Sequence, residues 1–257
     1  MSLGADIVAC ARRGELDTLQ HELRRVDPSS VPDVQDLHAA LLHVLLRSQE
    51  FDDDVRSELA LAWLRVTATS SCVGELEQLR LHEAAIAGLD DPYWFVRASF
   101  AESLAYVGAI EHVPRLMAMF RDAGEHRTVR VDALESALAN ADDSRVILRD
   151  AQHGVDSEPS LFVRWMILLH GLLAETSAGP STADLDAALD EDEGRWPPQE
   201  TLARTLRAIA WAFSPDSSHK LQARIVDVIG WVEARDLDPL WVDLIEPARA
   251  AVASARD

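Results

Sequence analysis

Histidine, cysteine and carboxylate side chains do most protein chemistry, and this chain carries nine His, two Cys and 44 Asp plus Glu. A metal site is legible in sequence when such residues recur at a spacing that one helix face or one short loop can gather. His21-Glu22 and His82-Glu83 are adjacent pairs, but they lie 61 residues apart in unlike contexts. His38 and His43 are five apart and do not share a helix face. No His-Glu-x-x-His or Cys-x-x-Cys spacing occurs. Asp190, Asp192 and Gly194 look like part of a calcium loop, but aligning Gly194 with the turn glycine puts aliphatic Leu189 at the first ligand position. A glycine-rich phosphate loop, a Gly-x-Ser-x-Gly elbow and a Cys-His arrangement are also missing. The expectation is a chain without catalytic residues, metal or cofactor, its histidines packed or solvated.

The charge balance narrows the partners. With 24 basic against 44 acidic residues the net charge is −20, and such a surface repels phosphate backbones, whose binding depends on Lys and Arg. It suits a protein with a basic surface, steered by a field that salt screens. Cys10 and Cys72 are too few for a disulfide framework. The opening stretch has no basic segment before its apolar run, which Asp6 interrupts, so it does not read as a signal peptide. The longest apolar run, WMILLHGLLA, is too short to span a bilayer. A cytoplasmic protein with no membrane contact is expected.

What would position a binding surface is a repeat. The stretch DPYWFVRASFAESLAYVG, from Asp91 to Gly108, contains Val96-Arg97, and the pair recurs as Val55-Arg56, Val129-Arg130 and Val163-Arg164, with separations of 41, 33 and 34 residues. Counting each Val as zero, offsets +4, +5, +8 and +9 are small or apolar in all four copies, as in Phe100, Ala101, Leu104 and Ala105. At 3.6 residues per turn these offsets share one arc, the buried face of an amphipathic helix. The Arg at +1 falls in that arc, and a buried guanidinium needs a carboxylate or carbonyl. Asp91 is the obvious partner for Arg97, Asp122 and Asp156 precede Arg130 and Arg164 by eight residues, and Asp52 to Asp54 adjoin Arg56. These Arg-Asp pairs are expected to be structural, holding neighbouring repeats in register.

On Asp91, Val96-Arg97, Ala101-Leu104-Ala105, Gly108 and the following HVPRLMAMF with Pro114, the chain resembles the HEAT-repeat family in the short bacterial form also found in phycobilisome lyases. The resemblance spans about residues 50–175, and the third copy departs from it by placing its Asp early and lacking the turn Gly. It implies an all-α fold, a right-handed α-solenoid of antiparallel helix pairs with the Val-Arg helices on the concave side. The whole chain, 1–257, then reads as one solenoid: capping helices to residue 50, HEAT-like repeats over 51–175, and diverged repeats over 176–257. Helices are expected at 5–26 (a pair about Gly14), 31–47, 55–67, 73–89, 93–107, 110–120, 129–139, 144–152, 163–174, 183–192, 199–213, 220–234 and from Pro239 onwards, this last one kinked at Glu246-Pro247.

Offsets +3, +6 and +10 lie opposite the core arc and would line the groove. They are Glu58, Leu61 and Arg65, then Ser99, Glu102 and Tyr106, then Asp132, Glu135 and Ala139, then Met166, Leu169 and Leu173 with Trp165 beside them. The last helix is apolar all round and needs a cover, either the C-terminal helices carrying Trp211 and Trp231 or a partner. The leading reading is a non-enzymatic scaffold or adaptor whose acidic groove binds a basic protein, in a narrower version as an inhibitor or immunity-type protein. Glu58, Ser99, Glu102, Tyr106, Asp132 and Glu135 would be contacts, and Trp165, Met166 and Leu169 apolar anchors. Two other readings stand beside it. One is a HEAT-like enzyme or accessory, bilin-lyase-like or an iron hydroxylase of the kind that carries His-Glu pairs in several repeats. The other is a homo-oligomer formed through the apolar 163–173 helix.

Overall fold

The computed structural model describes residues 2–70, 81–175, 181–192, 200–212 and 218–233. Thirteen α-helices and three short 3-10 turns, with no strand, make up the ordered structure of the described residues. The helices are α1 (Leu3–Arg13), α2 (Leu16–Arg24), α3 (Val31–Leu45), α4 (Asp53–Thr69), α5 (His82–Gly88), α6 (Trp94–Val107), α7 (Val113–Arg121), α8 (Arg127–Asn140), α9 (Ser144–Gln152), α10 (Leu161–Leu173), α11 (Thr182–Asp192), α12 (Glu200–Ala212) and α13 (His219–Glu233). The early part of the helix expected at 73–89, Gly194 of the acidic loop and the helix from Pro239 lie outside the described residues. No helix among the described residues is long and apolar enough to cross a membrane. The chain divides into two compact units, Met1–Ser144 and Arg145–Asp257.

Local sequence sets the helix ends. Gly14 closes α1 in the left-handed region at φ 64°, and its N–H reaches the carbonyl of Ala11. Pro32 and Pro114 each sit in a first turn, where the missing N–H costs nothing. The four Val-Arg helices begin alike. Asp52, Tyr93, His126 and Ser160 occupy the N-cap, so the Val is always the third helical residue and the Arg the fourth. Asp52 and Ser160 accept from the N–H of that Val at 2.8 and 3.3 Å. Because Cβ bonds tilt towards a helix N-terminus, an Arg at this position reaches back to the turn in front of its helix.

In the first unit α2, α4, α6 and α8 form a row in which each helix touches the next. Helices α1, α3 and α5 form a second row, and the pairs α1–α2, α3–α4, α5–α6 and α7–α8 join back to front. Offsets 0, +4 and +8 are buried in α4, α6, α8 and α10 alike, and +5 in the first three with Leu168 of α10 half-buried, giving the core Trp63, Phe100 and Leu104 among others. Each fully buried Leu or Phe contributes about 1.5–3 kcal/mol. Close approach is built in at Gly88, where a Cβ would lie 2.1 Å from the ring of Phe100. Two side chains of α8 bond the backbone of α6: Ser136 Oγ donates to the Ala101 carbonyl at 2.5 Å and Asn140 Nδ2 to that of Leu104 at 2.7 Å. A side chain at Gly108 would obstruct the second of these. In the second unit α10 is packed by α11, α12 and the 155–157 turn, and α12 in turn meets α11 and α13.

Candidate functional site

The four arginines contact turns or side chains of neighbouring elements, but their partners differ from those the sequence suggests. Arg56 is buried and pairs with Asp91, 35 residues on, as well as with Asp53 in its own first turn. The Asp91 carboxylate is therefore not the partner of Arg97, and it also accepts from the Tyr93 N–H at 2.8 Å. Arg97 instead forks onto Glu125 with contacts of 2.8 and 2.6 Å, and it donates to the carbonyls of Asp91 and Pro92 at 2.7 and 2.9 Å. Each of these two guanidiniums thus bonds its own turn and a carboxylate of the next. Arg130 donates from Nε to the Phe120 carbonyl at 2.8 Å and lies over the Phe120 ring. Arg164 pairs loosely with Asp184, at 3.9 Å. Neither Asp122 nor Asp156 carries the role that spacing alone assigns to it.

The expected contact residues fall into three groups. Leu61 and Tyr106 are each 43% exposed, and Glu58, Glu102 and Glu135 are half-buried. Ser99 and Asp132 are buried, a correction with a simple cause. Helix α6 has α4 on one flank and α8 on the other, which covers Ser99 at offset +3; on α8 Asp132 is buried as well, whereas Glu58 at +3 of α4 stays half-buried. The third group is Trp165, Met166 and Leu169, which are at most 1% exposed. They belong to the core of the second unit: Trp165 Nε1 donates to Thr205 Oγ1 of α12 at 2.7 Å. That cover removes them as anchors and removes the 163–173 helix as a surface for a second copy. The side chains of Trp211 and Trp231 lie outside the described ones.

What remains is one face of the first unit, formed by Leu61 and Arg65 of α4, Glu102 and Tyr106 of α6, and Glu135 and Ala139 of α8. At its edge Gln20, Leu23 and Arg24 of α2 join Glu58, Leu61, Ala62 and Arg65 around a shallow groove. Gln20 donates to Glu58 at 2.8 Å and Arg65 to the Leu23 carbonyl at 2.7 Å, so the groove's polar walls are held in place.

A second constellation escapes the sequence altogether. His82 opens α5, while Glu111 and His112 lie in the 3-10 turn (Ile110–His112) that leads into α7. One ligand atom from each of the three lies within 4.8 Å of the others, and the two imidazole centroids are 5.0 Å apart and tilted by 49°. His112 is pushed below the ordinary histidine range by burial and by neighbouring His82. Spacing motifs cannot detect this group, because its members come from two successive repeats. The available clue is that His82 and His112 both stand at the start of a helix that backs a Val-Arg helix.

Compared with protein-family models, with curated proteins and with solved structures, the chain finds no match in any of the three.

Proposed function

We propose that this chain is a non-enzymatic, cytoplasmic α-solenoid of HEAT-like helix pairs that binds a protein with a basic surface, and that its docking face is the +6 and +10 strip of α4, α6 and α8. The observation that carries this reading is that three helices packed in series present equivalent positions side by side, with an apolar residue and an aromatic (Leu61, Tyr106) set among Glu102 and Glu135, and with Arg65 and the +3 residue Glu58 at the α4 end. A pairing of aromatic and aliphatic anchors with a charged rim is the composition of a protein interface. The net charge of −20 favours a basic partner and disfavours nucleic acid. The arginine-carboxylate contacts keep the helices in register and are not part of the docking chemistry.

The test is affinity capture from the native cell lysate with wild-type chain and with the double variant Glu102→Lys/Glu135→Lys, each checked for helical content by circular dichroism. A basic protein should be retained, released as salt rises, and bound at least about tenfold more weakly by the double variant, since each 1.4 kcal/mol of lost interaction is a factor of ten. Equal retention by both would remove the strip from the proposal.

A further inference from the structure

We propose that His82, Glu111 and His112 bind one divalent first-row transition cation, with zinc the best-fitting ion, through two imidazole nitrogens and one carboxylate oxygen. This site is separate from the docking strip and does not rest on it.

The ligand set comes first. Two His and one carboxylate are a donor set suited to zinc and its neighbours, and they leave a fourth position for water or an exogenous group. Geometry comes next. Bonds of about 2.0–2.1 Å in a tetrahedral field put ligand atoms roughly 3.4 Å apart. The three atoms here lie within 4.8 Å, so closure needs a shift of at most about 1.5 Å relative to that spacing. The exposed Glu111 carboxylate can supply that movement by side-chain rotation alone. The imidazoles are tilted rather than stacked, so their nitrogens can turn towards a common point.

The third observation is an unmet polar atom. His112 Nε2 is buried and has no hydrogen-bond partner. Most buried polar atoms in folded proteins find one, and an orphan calls for an explanation. A cation between the rings would satisfy it. The charged group opposing a cation is Arg115, whose field reaches His112, but its guanidinium is engaged by Asp90 at 2.6 Å. The backbone holds two of the ligands together: the His112 N–H donates to the Ala109 carbonyl at 2.9 Å, closing the turn, and Val113 then starts α7. The cation would join the start of α5 to the start of α7.

The full-length chain, stripped with chelator and dialysed, is titrated with zinc by calorimetry and with cobalt(II) by visible absorption. One equivalent of either metal should bind, and the thermal midpoint should rise with metal concentration. Loss of even an outer-shell partner commonly costs 10–100-fold in metal affinity, so His82→Ala, His112→Ala and Glu111→Gln should each weaken binding at least about tenfold. His21→Ala, at an exposed position on α2, should leave binding as it is. Glu111 is exposed, so Glu111→Gln folds normally and remains informative if a histidine variant does not. Absence of binding at millimolar metal, or binding unchanged in both Glu111→Gln and His112→Ala, overturns the proposal.

Discussion

Helices α6 and α8 of the first unit and α10 of the second carry the same Val-Arg phrase in the same register, yet they meet their surroundings differently. At offset +6 the first two have Glu102 and Glu135, half-buried, where α10 has Leu169, fully buried. At +10 they have Tyr106 and Ala139, exposed, where α10 has Leu173, nearly covered. The shared phrase fixes where a helix starts and which side faces the core. The residues at +6 and +10 decide whether the remaining side meets water or protein. A binding face can therefore be sought in the first unit, while the corresponding positions in the second are core.

The largest expected difference is in stability at matched helices. Trp165→Ala removes a fully buried indole and its hydrogen bond to Thr205, and should cost about 3–5 kcal/mol in urea unfolding. Tyr106→Ala, at an exposed site, should stay within about 0.5 kcal/mol of wild type. Similar losses at both positions would erase the distinction between covered and open helices.

The arginines sharpen the same comparison at a smaller scale. Arg56 and Asp91 are both nearly inaccessible, with side chains 5% and 0% exposed, whereas those of Arg164 and Asp184 are 36% and 28% exposed and 3.9 Å apart. Arg56→Gln leaves a buried carboxylate without its cation and should cost about 3 kcal/mol or somewhat more. Arg164→Gln should cost under about 1 kcal/mol, as for a loose surface pair. Equal costs would mean that the Arg serves the same purpose in both units.

These contrasts also show which parts of the molecule can be seen in the sequence. Helix positions follow from capping residues and 3.6-residue periodicity, so α9 begins and ends where expected and α4, α6, α8 and α10 differ by at most two residues at either end. The burial of Val, +4 and +8 follows from the same periodicity. Which turn supplies the carboxylate does not. Asp91 is nearer in sequence to Arg97 than to Arg56, and only the packing of α4 on α6 places it against the earlier arginine. The burial of Ser99 is hidden for a related reason: a two-sided amphipathic pattern omits the flanks that α6 buries against α4 and α8. The apolar helix at 161–173 announced that it needed a cover, and α12 supplies one through Thr205. The His82, Glu111 and His112 group depends on bringing two turns about 30 residues apart into contact, information that no local spacing holds.

The smallest effect concerns acid. His38 on α3 has Nε2 buried without a hydrogen-bond partner, and its ring centroid lies 6.0 Å from that of Trp63, whose Nε1 is also unpaired. Burial, opposed in part by Glu83 and reinforced by His82, holds its pKa below the ordinary value of 6.5. The unfolded chain then binds more protons than the folded one as pH falls through about 6.5. Stability is full above that value and declines until the pH passes the lower folded pKa. In the second unit Asp184 behaves oppositely in range. Burial raises its carboxyl, but bonds from Ser181 and the field of Arg164 outweigh that and leave it below 3.8, so its contribution is lost only as pH falls through its depressed folded value. Hydrogen exchange corrected for intrinsic rate should therefore show α3 and α4 losing protection between pH 7 and about 5 while α10 keeps it. His38→Leu should flatten that loss, leaving the share due to His112, and should not weaken the fold at pH 7, because it removes an unsatisfied polar atom. Equal acid sensitivity of α10, or an unchanged pH slope in His38→Leu, would show that this ring does not set the first unit apart.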